Sequence, residues 1–199
     1  MSKHDMVRLR TTTVHLGRFT QIKTGKLDAN ASSLDGAYPF FTCSKEPLKI
    51  NSYSYDCECV LVAGNGDLNV KYHDGKFDAY QRTYIIESTD KQKLDTRYLY
   101  YFLDKYVEKL REQAIGGVIK YIKLGYLTDA QIPLPPLTVQ RKIADVLDHA
   151  SMLIEKHKMQ LEKLDLLIKS RFSGWIVAPL HTLVQALPAI LFVWVSVYE

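Results

Sequence analysis

The chain has 199 residues, 47% hydrophobic and 24% charged, with 10 glycines and 7 prolines. This composition argues against a disordered or low-complexity chain and suits one large globular domain, or one domain with an extension. The formal charge of +4 is mildly basic, compatible with a nucleic-acid partner without being diagnostic of one.

The first residues, MSKHDMVRLRTTT, lack the apolar core of a secretory signal. Up to about residue 90 the pattern is one of short strands and turns. Residues 59–63 (CVLVA) are a continuous apolar run of strand length, and residues 82–87 (RTYIIE) are a second β-rich run. Asp74-Gly75, between residues 69–73 and 77–79, predicts a hairpin turn. GNG (64–66) and the polar segment 28–33 read as loops. Closely spaced strands with no helices between them predict an α+β protein with a curved, mostly antiparallel sheet.

A helix follows, with Asp95 or Thr96 as its cap. Leu99, Phe102, Leu103, Tyr106 and Leu110 form one apolar stripe to pack on the sheet, and Gly116-Gly117 is the predicted stop. Pro135 and Pro136 then end an extended segment, since they lack an N–H and push their predecessors toward extended geometry. Thr138 is the predicted cap of the next helix.

Across residues 139–172 the pattern becomes a heptad seam: Ile143, Leu147, Ala150, Ile154, His157, Leu161, Leu164 and Ile168. Such a helix would be about 50 Å long at ~1.5 Å per residue. It is too narrowly apolar to stand without a partner helix, and His157 reads as a polar register marker. The expected domains are therefore 1–136, 137–172 and an apolar tail, 173–199. Residues 175–198 contain no Lys, Arg, Asp or Glu. The tail suits three readings: a non-native end, a segment packed on its own chain or a partner, or a membrane span. Pro179, Pro188, His181 and Gln185 weigh against the last.

Nothing catalytic emerges from the motifs. Cys43, Cys57 and Cys59 are odd in number and complete no zinc set, so they read as reduced thiols of a cytoplasmic protein. GNGDLN only approaches a dinucleotide-binding loop and opens no helix. No metal site and no cofactor are expected on the chain. What remains is binding chemistry in loops: Lys23, Thr24 and Lys26 in a basic turn; Thr42, Ser44 and Lys45; Asn65; Tyr80, Gln81 and Arg82; and Lys120, Tyr121 and Lys123 after the double glycine. Cations position a protein on phosphates, while amides and guanidinium groups read base edges.

The ordered motifs resemble those of the DNA-specificity (S) subunits of type I restriction–modification systems. The matching stretches are VHLGRFTQIKTGK (14–26), AYPFFTCSK (37–45), YDCECVLVAGNGDLNVKYHDGKFDAYQRTYII (55–86), RYLYYFLDK (97–105) and GGVIKYIKLGYLTDAQIPLPPLTVQRKIADVLD (116–148). The resemblance spans about residues 7–172. It implies a noncatalytic subunit whose target-recognition domain grips half of a split site on double-stranded DNA. It also implies a conserved spacer helix that pairs with a second such helix and docks methyltransferase (M) subunits. S-adenosylmethionine would sit on the M subunits, and ATP and Mg on partner subunits, the restriction (R) subunits carrying the ATP-dependent step.

Full S subunits carry two recognition domains and two helices, whereas this chain has one of each. It is expected to be a half subunit that forms a homodimer, or a fragment. The alternative from another class is a coiled-coil interaction scaffold with a protein-binding head.

Overall fold

The computed structural model describes residues 12–195 apart from residue 118, with side chains through residue 171. The N-terminal segment 1–11 and the side chains of the apolar tail lie outside the described residues. Two compact units result, Met1–Leu147 and Asp148–Glu199. Among the described residues no helix is long and apolar enough to cross a membrane.

The first unit is built on a six-stranded sheet of β2 (Thr20–Thr24), β3 (Tyr38–Phe41), β4 (Leu48–Ile50), β5 (Tyr55–Ala63), β6 (Val70–Ala79) and β7 (Thr83–Ser88), in the order β2-β7-β5-β6-β3-β4. All pairings are antiparallel except that of β3 with β6. A separate ladder joins β1 (Thr12–His15) to β8 (Gln131–Leu134). The α+β class and the mostly antiparallel sheet are those expected from the strand spacing.

The run CVLVA is explained by β5 lying inside the sheet with both faces covered. Val60 and Val62 enter one core, with Leu99, Leu103 and Leu110 of α1 (Thr96–Gln113). Cys59 and Leu61 enter a second core on the opposite face, with Phe41, Phe77 and Ile85. Each fully buried leucine or isoleucine contributes ~2 kcal/mol relative to an exposed one. Asp95 caps α1, its carboxylate accepting from the N–H groups of Arg97 and Tyr98 at 3.0 and 3.1 Å.

Three local expectations are corrected. Asp74-Gly75 is not a hairpin turn: β6 runs through it, with Glu58 opposite Asp74 and Cys57 opposite Gly75. Gly75 takes φ +119°, so it deforms the strand without reversing it. The reversal from β5 to β6 falls instead on the loop containing Gly66, at φ +69°. Second, α1 stops before the double glycine. Ala114 is already extended, because Ile115 pairs with Tyr121 through bonds of 3.0 and 2.8 Å that draw the chain out of the helix.

Third, α3 (Leu137–Val195) is not capped by Thr138. The carbonyl of Pro136 accepts from the N–H groups of Val139 and Gln140 at 2.8 and 3.1 Å, which puts the cap position on the second proline and Thr138 inside the first turn.

The first turns of α3 belong to the first unit. Gln140 is fully buried there. Its amide donates to the carbonyls of Lys93 and Pro135 at 2.7 and 2.8 Å, and its oxygen accepts from the Asp95 N–H at 2.9 Å. Ala144 is buried beside it, and Arg97 reaches Asp145 at 2.8 Å. In the second unit, the seam residues Ala150, Ile154, His157, Leu161, Leu164 and Ile168 are all exposed. So are Met152, Leu153, Leu166 and Leu167, which widens the apolar face beyond the strict heptad. His157 bonds Gln160 on its own helix at 3.1 Å.

Candidate nucleic-acid interface

Four segments gather at the turn between β6 and β7, residues 80–82. The chain leaving β2 lies along it: Gly25 N–H donates to the Thr83 carbonyl at 3.1 Å, Leu27 N–H to Ala79 at 3.4 Å, and Gln81 N–H back to Leu27 at 2.9 Å. The end of β3 is tied on by Tyr80 N–H donating to the Phe41 carbonyl at 2.9 Å.

The GNG loop is held from both sides. Gly64 N–H donates to the Arg82 carbonyl at 2.8 Å, and Gly66 N–H donates to the Lys120 carbonyl at 2.9 Å. Ile122 N–H donates to the Gly64 carbonyl at 2.9 Å, and the Tyr84 hydroxyl to the Ile122 carbonyl at 3.1 Å. Burial pushes the Tyr84 phenol up, against the opposing pull of the Arg82 charge, which keeps it a donor. A side chain at position 64 would put its Cβ 2.4 Å from the Arg82 carbonyl oxygen, so only glycine lets the loop lie this close. The glycines that resemble a dinucleotide fingerprint serve instead to present Asn65.

The result is an open cleft of about 520 Å³ lined by Asn65, Tyr80, Arg82, Ile119 and Tyr121. Four of these residues are among those singled out by sequence. Gln81 is exposed next to them, and so is Lys26 on the adjacent strand exit. Lys123 is exposed just beyond, ahead of the short helix α2 (Leu124–Thr128). Lys120 faces a neighbouring hollow with Asp67 and Arg111. Among the described residues Lys26, Arg82, Lys120 and Lys123 form no ion pair.

The remaining sequence candidates stand elsewhere. Lys23 is on the edge strand β2 with Glu87 at 3.0 Å, so its charge is matched within the sheet. Thr24 closes that strand, its carbonyl accepting from the Tyr55 hydroxyl at 3.2 Å. Thr42 is only 5% exposed and shares a 2.8 Å hydrogen bond with the hydroxyl of the exposed Ser44, so it shapes a turn there, away from the cleft. Lys45 lines a different groove, with Asp104 and Glu108 of α1.

Two cleft features escaped the sequence. Ile119 is 63% exposed, an apolar group in a polar rim. Cys43 is a structural tie: its thiol donates to Asn65 Oδ1 at 2.8 Å and lies 3.7 Å from the Arg82 carbonyl oxygen. All three cysteines are free thiols. Burial, then the nearby Glu87, pushes the Cys57 thiol up. Among the described residues no group of three or more His, Cys, Asp or Glu side chains is arranged to hold a metal.

Fold and cleft define a class, an α+β head with donor-bearing loops continued by a long helix. Residues 11–165 match the sequence model of the type I restriction modification DNA specificity domain, and the chain belongs to that family. It is 43% identical over 157 residues to the type I restriction enzyme EcoDI specificity subunit of Escherichia coli, covering 79% of this chain and 35% of that one. Thus the chain spans about a third of the length of this curated relative.

Among solved structures it is similar to a type I restriction–modification S subunit from M. genitalium, with TM-score 0.67, 20% identity and coverage of 78% of this chain and 42% of that one. It is also similar to an HsdS subunit from Thermoanaerobacter tengcongensis, with TM-score 0.56, 18% identity and coverage of 78% and 40%. At these identities the structural matches speak for the fold.

Proposed function

We propose that the chain is a noncatalytic, DNA-reading part of a type I restriction–modification complex, its head gripping one half of a split duplex target. The observation that carries this reading is the convergence of Asn65, Tyr80, Arg82 and Tyr121 on one cleft, with unpaired cations around it, in a family defined by DNA specificity. Stacking rings, an amide and a guanidinium are the groups that read bases, and surrounding cations hold phosphates.

On this reading α3 pairs with a second such helix as a coiled coil. The second helix comes from another copy of the chain or from another half subunit. The same helix docks methyltransferase subunits, which bring S-adenosylmethionine. Restriction subunits bring ATP-dependent cleavage with Mg. A homodimer would read a palindromic split target in the cytoplasm.

The test is a randomised-duplex selection with the full chain and its methyltransferase subunit. A split motif should emerge. Affinity should fall ~100-fold between 50 and 200 mM salt if about four cations meet phosphates. Salt-independent binding, or no enriched split motif, would refute the reading.

Because the exposed helix face also suits an interaction scaffold with a protein-binding head, the variant Lys26→Ala/Arg82→Ala/Lys120→Ala separates the two. It should lose DNA binding and keep partner assembly. Lost assembly with no DNA binding in the wild type would favour the scaffold.

A further inference from the structure

The cleft carries more than general affinity for DNA. We propose that Arg82 reads a guanine within the half-site, with the Asn65 amide as a companion donor whose orientation is set by Cys43; this rests on the DNA-binding reading above.

The argument begins with what occupies each polar group. The Arg82 guanidinium has no hydrogen bond or ion pair among the described residues, and no carboxylate lines its cleft. Its backbone is fixed all the same, because the Arg82 carbonyl accepts from Gly64 N–H at 2.8 Å and lies against the Cys43 thiol. A free, planar fork on a held backbone suits bidentate recognition. In the major groove guanine presents two acceptors, O6 and N7, at the spacing of that fork.

Asn65 narrows the choice further. An asparagine that reads adenine uses its oxygen and its nitrogen together. Here Oδ1 already accepts from the Cys43 thiol at 2.8 Å, whereas the two Nδ2 protons are engaged by no partner among the described residues. The cleft therefore presents donors from both residues, and Tyr80 and Tyr121 add hydroxyls at its rim. A donor-rich site favours an edge made of acceptors, and guanine is the base with two adjacent ones. Cys43 acts as a positioning residue, through Asn65.

The experiment repeats the selection on the assembled complex for the wild type, Arg82→Gln, Cys43→Val and Cys43→Ser. Arg82 is exposed and unpaired, so Arg82→Gln should melt with the wild type. The wild type should require a G·C pair at one position of the half-site. Arg82→Gln should lose ~10- to 100-fold of the preference at that position and leave the other positions unchanged.

Cys43→Val, which cannot donate to Asn65, should blur the same position. Cys43→Ser, whose hydroxyl can, should restore it. That rescue is an effect of orientation that a merely structural thiol would not show.

An even loss of affinity over all sequences in Arg82→Gln, with a shallower salt dependence, would make Arg82 a phosphate contact and overturn the assignment. A preference for another base at the affected position would overturn it too, while leaving the DNA-reading function intact. Absence of any sequence preference in the wild type would overturn the function itself.

Discussion

In the first unit Leu99, Leu103, Leu110 and Ile132 have no exposed surface, whereas in the second Leu161 and Leu166 each keep 66% of theirs. Both regions carry helices with periodic apolar stripes. The stripe of α1 is covered by β5 and its neighbours, and that of the later part of α3 is left open in the single chain. Periodicity in a sequence says that a face will be covered. It does not say whether the cover comes from the same chain. Charge supplies part of that answer, since the stripe of α3 lies among seven basic and five acidic residues between 139 and 172, a pattern suited to pairing between helices.

The sharpest way to break the contrast is to charge the open face. Ile154→Asp combined with Leu161→Asp should cost an assembled pair ~4 kcal/mol, because each chain would bring two carboxylates into the seam without partners. Sedimentation should show loss of self-association by about a thousandfold, while the melting of the head stays at the wild-type value. A double variant that still associates like the wild type would remove the seam from the assembly.

The converse variant is Leu99→Ala in the closed stripe. It should destabilise the head by ~3 kcal/mol through lost burial and a cavity. Thermal melting should fall by several degrees, with helix-mediated association unchanged below the transition. If Leu99→Ala weakened association as much as the charged seam does, the two regions would not be separable.

The parts that were legible in the sequence are those set by local chemistry. The run 59–63 announced a strand because it is continuously apolar, and the structure shows why: both faces of β5 are covered. Asp95 announced a helix start through its short carboxylate. The errors came where a distant partner overrode a local signal. Asp74-Gly75 has turn chemistry, but β5 supplies a continuous register on its flank and β6 runs through. Gly116-Gly117 has stop chemistry, but Tyr121 captures Ile115 first.

The candidate site shows the same division. Arg82, Tyr80 and Asn65 were recognisable by side-chain type. Cys43 was not, because its role exists only through a contact 22 residues away in sequence. Lys23 and Lys26 are alike in sequence, and only the fold sets Glu87 beside Lys23.

Gln140 offers a test at the boundary, since it sits on α3 but inside the first unit. Gln140→Leu keeps the bulk and removes three hydrogen bonds, leaving the Asp95 N–H and the carbonyls of Lys93 and Pro135 without their partner. The cost should be ~2 kcal/mol, the penalty for buried polar groups left unpaired. Melting of the head should fall, and exchange of the Asp95 amide proton should accelerate. Association through the seam should not change. Melting equal to the wild type would mean that the start of α3 is held by Ala144 packing and the Arg97–Asp145 pair instead.

The smallest effect lies in surface charge. Burial raises the Glu58 carboxyl, but a 2.7 Å bond from Lys91, a 3.0 Å bond from the Tyr72 hydroxyl and the Lys91 charge outweigh it, so the net shift is downward from 4.5. A carboxylate lowered by folding stabilises the native state above its ordinary value, and that contribution disappears as pH falls through the lowered one. Solvent screens this half-exposed cluster, so Glu58→Gln should cost only a few tenths of a kcal/mol at pH 7. The gap between variant and wild type in denaturant midpoint should close as the pH is taken well below 4.5. Asp165, paired with Lys169 at 2.7 Å on the open helix, serves as the counterpart in the second unit. Both side chains of the pair are largely exposed, and the pair joins adjacent turns of one helix without linking separate elements. Asp165→Asn should therefore leave the melting of the head unchanged, and a loss there as large as that of Glu58→Gln would show that the two units share one folding transition.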